Sequence, residues 1–239
     1  MDLLLKEELW KDIMNGAVVY AGQLFDTTVY RSVFMPQKRN LELVHIPSEE
    51  TFDLVRAHRD AELYRQGILD ETLPVFERCL LIHYLGKIGY KKAAPELREA
   101  MMHARESDLR GFALEGLGRL GCREYVPDMI YVLRNDEYVR RDVVRTLGVL
   151  KDPRALLPLR ETYEEIIYKI HAAEGQGKEW TDYSSEWSNL INVIEAMLRI
   201  DGPLAEQSLN EALDDNNIHI HEAAKRGAFF YNRKREKRQ

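Results

Sequence analysis

The chain has 239 residues, of which 45% are hydrophobic and 31% charged, and its formal net charge is −6. Its mean hydropathy of −0.43 argues against a mostly membrane-embedded protein, and no apolar run reaches the roughly 18 residues that a spanning helix needs. The N-terminus turns acidic too early for a secretory signal. The two cysteines, Cys79 and Cys122, form no CxxC motif, which argues against a disulfide framework or a cysteine zinc site. We therefore expect a cytoplasmic protein with buried thiols and no transmembrane segment.

The first 66 residues do not follow the pattern of the rest. Residues 15–46 are rich in β-branched and aromatic residues, and turn-like residues interrupt them. A small β-element and divergent helices fit this stretch equally well. Ser48 is the predicted N-cap of a helix that runs through about Gln66. We expect residues 1–66 to form a divergent N-terminal cap on a repeat array.

A motif with a period near 30 residues dominates the middle of the chain. Leu-Gly pairs begin at Leu85, Leu117 and Leu147. The arginines seven residues before these pairs are Arg78, Arg110 and Arg140. A proline follows each pair, at the place where a second helix would begin. This layout predicts two helices per unit, joined by a tight turn.

Further residues of the repeat carry structural expectations. Asp108 and Asp136 are the predicted N-caps of first helices. Gly89 and Gly121 suit the ends of those helices. Equivalent positions of a stack lie above one another, so Arg78, Arg110 and Arg140 would form a ladder that pairs with acidic groups of the adjoining unit. The positive charge of Arg119, Arg141 and Arg145 fits either the lining of a groove or solvated helix faces.

The motif resembles the HEAT-like repeats first described in phycobilin lyases. The resemblance covers residues 70–166 well and 184–217 loosely, since Leu198-Arg199 replaces the Leu-Gly pair in the fourth unit and Ile191 takes the place of the arginine. It implies an all-α, right-handed α-solenoid of the HEAT-like or armadillo-like type over residues 67–217. Function does not follow from it, because the same repeat serves scaffolds, chaperones and some enzymes.

An insertion at about residues 167–185 separates the third unit from the fourth. It carries Trp180 and Tyr183, with Trp187 just beyond it. Insertions in repeat proteins often lie on the binding face, and tryptophan and tyrosine are enriched at interface hot spots. We expect these three aromatic residues to contact a partner. The alternative is structural, with Trp187 in the core of the next helix and Trp180 holding the loop in place.

The C-terminal segment, residues 218–239, is predicted to be a basic helix or tail. Residues 225–239 carry a net charge of +6, which leaves −12 on residues 1–224. The basic residues are Lys225, Arg226, Arg233, Lys234, Arg235, Lys237 and Arg238. An acidic body repels phosphate backbones, so nucleic acid or a membrane would bind only through this tail. A simple solvated terminus explains the same charges.

Motifs for familiar chemistry are missing from the sequence. It has no GxxxxGK[ST] and no HExxH. His219 and His221 would point in different directions on a helix, so we predict no metal site and no cofactor. The HEAT-like hydroxylases that bind iron use several His-Glu pairs, whereas this sequence has only His221-Glu222. Asp182 between tryptophans is similar in residue type to HEAT-like DNA glycosylases, but the acidic body argues against that activity.

These observations favour a protein-binding scaffold or assembly module rather than an enzyme. Binding is predicted on a concave face of the second helices, around Glu96, Glu99, Asp128 and Tyr131, with the aromatic insertion at its edge. The expected partner is a protein with a basic surface, which complements the acidic body. The alternatives are a HEAT-like enzyme of the bilin-lyase or DNA-glycosylase kind, and attachment to nucleic acid or a membrane through the basic tail.

Overall fold

A computed structural model describes residues 54–179 and 184–236, and every regular element in that part is helical. Its α-helices are, in order, α1 (Leu54–Gly67), α2 (Val75–Lys87), α3 (Ala94–His103), α4 (Ser107–Leu120), α5 (Val126–Asn135), α6 (Arg140–Leu150), α7 (Leu156–Gly175), α8 (Ser184–Ile200), α9 (Pro203–Leu213) and α10 (Ile218–Glu236). The prediction of an all-α solenoid is confirmed. None of these helices is long and apolar enough to cross a membrane. The cytoplasmic location stays a prediction, and the possible β-element at residues 15–46 and the N-cap at Ser48 lie outside the described residues.

The helices form two rows with the hydrophobic core between them. In the first row, α2, α4, α6, α8 and α10 each pack against the next. The second row consists of α1, α3, α5, α7 and α9, and each of these helices packs on a helix of the first row. Within α4 the apolar side chains of Leu109, Leu114 and Leu117 are fully buried, and their helical spacing turns one face to the core.

Each first-row helix from α2 to α8 ends with or just before a residue in the left-handed conformation. These residues are Gly89, Gly121, Lys151 and Asp201, with φ angles of 70°, 71°, 52° and 71°. Glycine meets this requirement without steric cost, as the sequence predicted for the first two units. The chain then turns into the second helix, whose first turn contains Pro95 in α3 and Pro127 in α5.

The left-handed residues correct the predicted register of the fourth unit. Each of the leucines Leu85, Leu117 and Leu147 lies four residues before its left-handed residue. By the same rule, the equivalent of these leucines is Met197, which is also fully buried. Leu198 therefore occupies the glycine position, and the counterpart of the three repeat arginines is the buried Leu190 rather than Ile191.

Close contacts between first-row helices give the same register independently. A Cβ atom on Gly118 would lie 3.1 Å from the Thr146 side chain, and one on Gly148 would lie 2.8 Å from the Cα of Ala196. Thr146 immediately precedes Leu147, so Ala196 must immediately precede the leucine equivalent, which is again Met197. The glycine of each Leu-Gly pair is therefore the point at which neighbouring first-row helices approach most closely.

Of the two predicted N-caps, only one lies at a cap position. Asp108 is the second residue of α4 rather than its N-cap, because the helix already begins at Ser107 and Glu106 occupies the cap position. Asp136 does cap the short 3₁₀ turn before α6, accepting a hydrogen bond from the backbone N–H of Tyr138 at 3.1 Å.

Between the third and fourth units, α7 continues to Gly175, so the first half of the predicted insertion extends a helix instead of forming a loop.

Candidate functional site

A groove with a cavity volume of about 560 Å³ crosses the first row over α4, α6 and α8. Its floor includes the contact between Gly118 and the buried Thr146, and Ala196 lines it on α8. The apolar side chain of Val149 also lines the groove and is 51% exposed. Since neighbouring first-row helices meet at small residues, the groove is a direct consequence of the repeat that the sequence carries.

Charged side chains line the groove at equivalent places of three consecutive units. Six residues before the left-handed residue stand Glu115 on α4, Arg145 on α6 and Glu195 on α8. One helical turn later, Arg119 and Arg199 occupy α4 and α8, where α6 has Val149 instead. At these two positions α6 therefore has a cation where its neighbours have a carboxylate, and an uncharged residue where they have an arginine.

The charges on the two outer helices neutralise each other. Arg119 Nη2 lies 2.6 Å from Glu115 Oε1, and Arg199 Nη2 lies 2.6 Å from Glu195 Oε1. Both are pairs four residues apart on one helix, a spacing that brings the side chains together. Of the charged residues that line the groove, Asp142 and Arg145 on α6 remain outside these pairs.

On α6, neither Arg145 nor Asp142 has a hydrogen bond or an ion pair with any residue that the structure describes. The Arg145 side chain is exposed to solvent. Asp142 is half-buried against α4, where a Cβ atom on Gly111 would lie 3.0 Å from its Oδ2. Burial raises the pKa of Asp142, and Arg145 and Arg141 oppose this shift. The groove thus offers a ligand one exposed guanidinium without a hydrogen bond or ion pair to a described residue, next to one half-buried carboxyl group that attracts it.

A ladder of ion pairs does exist in this chain, but it joins helices of the second row. Arg98 Nε lies 2.6 Å from Asp128 Oδ2, between α3 and α5. Other pairs between neighbouring units are Arg65–Glu96, Arg134–Glu161 at 2.7 Å and Arg160–Glu211 at 2.6 Å. Each pair connects one second-row helix to the next, so the ladder ties consecutive units together along that side.

This ladder bears on the residues that were predicted to contact a partner. Glu96 and Asp128 take part in it, whereas Glu99 and Tyr131 are exposed. All four lie on the second row, and none of them lines the groove. Their role in binding stays a prediction, and at Glu96 and Asp128 it requires a partner to compete with an arginine of the same chain.

The three repeat arginines have different partners instead of forming one ladder. Arg78 is buried and donates from Nε to the carbonyl oxygen of Ile68 at 2.7 Å. Arg140 Nη1 lies 3.2 Å from Glu165 Oε1 within its own unit. Arg110 Nε lies 2.7 Å from Oδ2 of Asp136, which belongs to the following unit. Their shared sequence position thus orients them toward turn segments and the ends of helices.

The structure describes only some of the aromatic and basic residues that were predicted to bind a partner. Trp180 and Tyr183 lie outside the described residues. Trp187 packs partly buried against the core, and the guanidinium of Arg226 lies 4.8 Å from the centre of its ring. Lys225 pairs with Glu222 at 3.0 Å. In the basic tail, Arg233, Lys234 and Arg235 belong to α10, whereas Lys237 and Arg238 lie beyond the described part.

A second depression, of about 800 Å³, opens beside α9 and is lined mainly by acidic and amide side chains. Two of its carboxylates have partners in the chain. Glu211 pairs with Arg160, and Asp215 Oδ2 lies 3.0 Å from His171 Nε2. We take the groove over α4, α6 and α8 as the candidate site, because it crosses three consecutive units and contains Arg145, which has no hydrogen bond or ion pair with a described residue.

Histidine and cysteine residues have structural surroundings. His221 donates from Nδ1 to the carbonyl oxygen of Leu213 at 2.6 Å, and Glu222 is paired with Lys225. Among the residues that the structure describes, no group of three His, Cys, Asp or Glu side chains could hold a metal ion. Both cysteines are buried as predicted, and burial raises the pKa of Cys79 to about 12 and that of Cys122 to about 11.

His83 on α2 makes folding sensitive to pH. Burial, together with the positive charges of Arg119 and Lys87, lowers its pKa from 6.5 to about 4. The unfolded chain binds a proton below about pH 6.5, whereas the folded chain does so only near pH 4. Stability is therefore complete above pH 6.5 and falls as the pH drops toward 4, by about 2 kcal/mol between pH 7 and pH 5. Urea unfolding of the wild type and His83→Leu at several pH values will measure this difference in slope.

The matched control for this experiment is His103→Gln. His103 is exposed at the end of α3, so replacing it removes no buried side chain. This variant should keep the pH dependence of the wild type. An unchanged slope in His83→Leu would show that the buried histidine does not cause the loss of stability in acid.

Comparison with known proteins gives three findings. Residues 95–169 match the family model for HEAT repeats. Over 112 residues the chain is 32% identical to the deoxyhypusine hydroxylase of Mus musculus, and the alignment covers 46% of this chain but only 37% of that protein. In the complex of CpcE and CpcF of phycocyanin lyase from Nostoc sp. PCC7120, a chain of similar structure has a TM-score of 0.52 at 20% identity, over 83% of this chain and 71% of that one. At this identity the likeness shows the fold alone.

Proposed function

Since this chain is a HEAT-like repeat protein, we propose that it is a protein-binding module whose groove over α4, α6 and α8 accepts a segment of a partner protein. The observation that carries the proposal is that Arg145 has no hydrogen bond or ion pair with a described residue, in a cavity whose other arginines are paired. A charge without a partner inside the chain gains most from a partner outside it.

Two further features support a protein as the partner. The residues before the basic tail carry a net charge of −12, which favours a partner with a predominantly basic surface and disfavours a phosphate backbone. The similar solved structure is the complex of CpcE and CpcF, so a fold of this kind is present in a protein–protein assembly. The predicted aromatic insertion with Trp180 and Tyr183 would add a second contact for the partner.

Blocking the groove tests this proposal. Val149 is exposed within the lining, so Val149→Trp fills part of the cavity without removing a buried side chain. We expect the variant to lose at least one protein that the wild type retains in affinity capture from cell lysate, with binding confirmed by titration of the purified partner. Circular dichroism will show that its helical content matches that of the wild type.

Leu157→Trp is the matched control. Leu157 is 60% exposed on α7, in the second row, and does not line the groove. This variant introduces the same tryptophan side chain at an exposed apolar position but should keep every partner of the wild type. If Val149→Trp retains all partners as well, the groove is not the binding site and the proposal fails.

A further inference from the structure

We propose that the groove recognises a single acidic side chain of an extended peptide segment, anchored by Arg145 and flanked by basic residues three positions away on each side. This inference rests on the proposed protein-binding function and specifies the chemistry of the bound segment. It begins with Arg145, an exposed cation in the cavity without a hydrogen bond or ion pair to any described residue. An arginine in this state binds a carboxylate through strong, charge-assisted hydrogen bonds.

The neighbours of Arg145 restrict the ligand to one isolated negative charge. Glu115 and Glu195 occupy the equivalent places on the helices to either side, and Asp142 lies one turn away on α6. The groove lining contains three arginines and three acidic residues, so its formal net charge is zero. A polyanion would meet these carboxylates at both sides of Arg145. A segment with one acidic side chain between two basic ones places each of its charges next to an opposite charge of the groove, in the order Glu115, Arg145 and Glu195.

The spacing of the helices sets the spacing of the ligand residues. Packed helices lie about 8–10 Å apart, and the first-row helices approach closely at Gly118 and Gly148. A peptide in the polyproline II conformation rises about 3.1 Å per residue with three residues per turn, so every third side chain faces the same side at intervals of about 9 Å. A segment that crosses α4, α6 and α8 therefore presents residues i−3, i and i+3 to Glu115, Arg145 and Glu195. Its two basic residues share Glu115 and Glu195 with Arg119 and Arg199, which pair with these carboxylates.

Three synthetic peptides test this chemistry on the full chain. The first is Lys-Pro-Pro-Glu-Pro-Pro-Lys, and the other two replace its central glutamate by glutamine or lysine. Measured by fluorescence anisotropy, the wild type should bind the glutamate peptide about tenfold more tightly than the glutamine peptide. The lysine peptide should bind more weakly still, even though its higher positive charge favours nonspecific attraction to the acidic body.

Charge reversal at the anchor supplies the decisive comparison. Arg145→Glu should invert the order, so that the lysine peptide binds more tightly than the glutamate peptide. Arg134→Glu makes the same change of charge on the second row, where Arg134 pairs with Glu161, and should keep the order of the wild type. These variants are compared by peptide preference, which a general loss of stability would not invert.

The outcomes separate this inference from the proposed function. Equal affinity for the glutamate and glutamine peptides, no inversion in Arg145→Glu, or no binding of any peptide would each overturn the inference. If Val149→Trp nevertheless loses a protein partner, the protein-binding function stands and only the chemistry of the segment is wrong. If Val149→Trp loses no partner, the proposed function has failed on its own evidence.

Discussion

Replacing Gly148 by valine is expected to lower the free energy of unfolding by about 3 kcal/mol. A Cβ atom at this position would lie 2.8 Å from the Cα and 2.9 Å from the Cβ of Ala196. The clash involves the backbone of α8, which cannot rotate away as a side chain can, so α6 and α8 must separate. The higher helix propensity of valine offsets only a few tenths of a kcal/mol. Urea unfolding followed by circular dichroism will measure the loss.

Gly175→Val is the control for this prediction. Gly175 also lies in a helix, at the end of α7, and a Cβ atom there would meet nothing within 4 Å. We expect its free energy of unfolding to stay within about 0.5 kcal/mol of the wild type. Comparable losses in the two variants would show that the valine side chain, and not the contact between α6 and α8, determines the effect.

The contact at Gly148 also shows how far the repeat could be predicted from the sequence. Three units repeat the Leu-Gly pair and its flanking residues, so their helices and turns follow directly from the period. In the fourth unit, Met197 replaces the leucine and Leu198 replaces the glycine. Because Leu198 is the leucine nearest to the expected position, the sequence alone aligns the fourth unit with the others one residue too late. The φ angle of Asp201 and the position of Ala196 resolve the ambiguity, since both report the backbone.

The insertion is a second case in which sequence and structure differ for a physical reason. The repeat spacing placed an insertion at about residues 167–185, with glycines in its middle. The buried side chains of Ile166, Ile170 and Ala173 instead continue the core-facing stripe of α7 at intervals of four and three residues. This helical period was present in the sequence and would have extended the predicted helix. Residues 180–183 of the insertion lie outside the described part.

The candidate site could be predicted only in its components. Arg119 and Arg145 were recognised as residues that could line a groove, and the structure places both there. The predicted binding residues were instead chosen on the second helices, where an arginine ladder binds Glu96 and Asp128. Sequence alone does not show which acidic residues an arginine of the next unit neutralises, because that depends on how consecutive units stack.

Replacing Arg110 by alanine is also expected to have a large effect on stability, lowering the free energy of unfolding by about 2–3 kcal/mol. Its Nε lies 2.7 Å from Asp136 Oδ2, and its Nη1 donates to the carbonyl oxygens of Ala104 and Arg105 at 2.9 and 2.8 Å. The side chains of Arg110 and Asp136 are only 13% and 19% exposed. In Arg110→Ala, the poorly solvated carboxylate of Asp136 loses its ion pair, and the two carbonyl oxygens after α3 lose their hydrogen-bond donor. Urea unfolding will measure the loss.

The matched variant is Arg134→Ala in the second-row ladder. Arg134 and Glu161 are 54% and 50% exposed, so water replaces the lost ion pair and the change should stay within about 0.5 kcal/mol. A double-mutant cycle of Arg110→Ala with Asp136→Ala separates the ion pair from the carbonyl contacts, and we expect a coupling energy of about 1–2 kcal/mol. No coupling would mean that Arg110 acts through the end of α3 alone. Equal losses in Arg110→Ala and Arg134→Ala would show that burial does not set the strength of these contacts. The units of this solenoid would then be held together on both rows by ion pairs of similar strength.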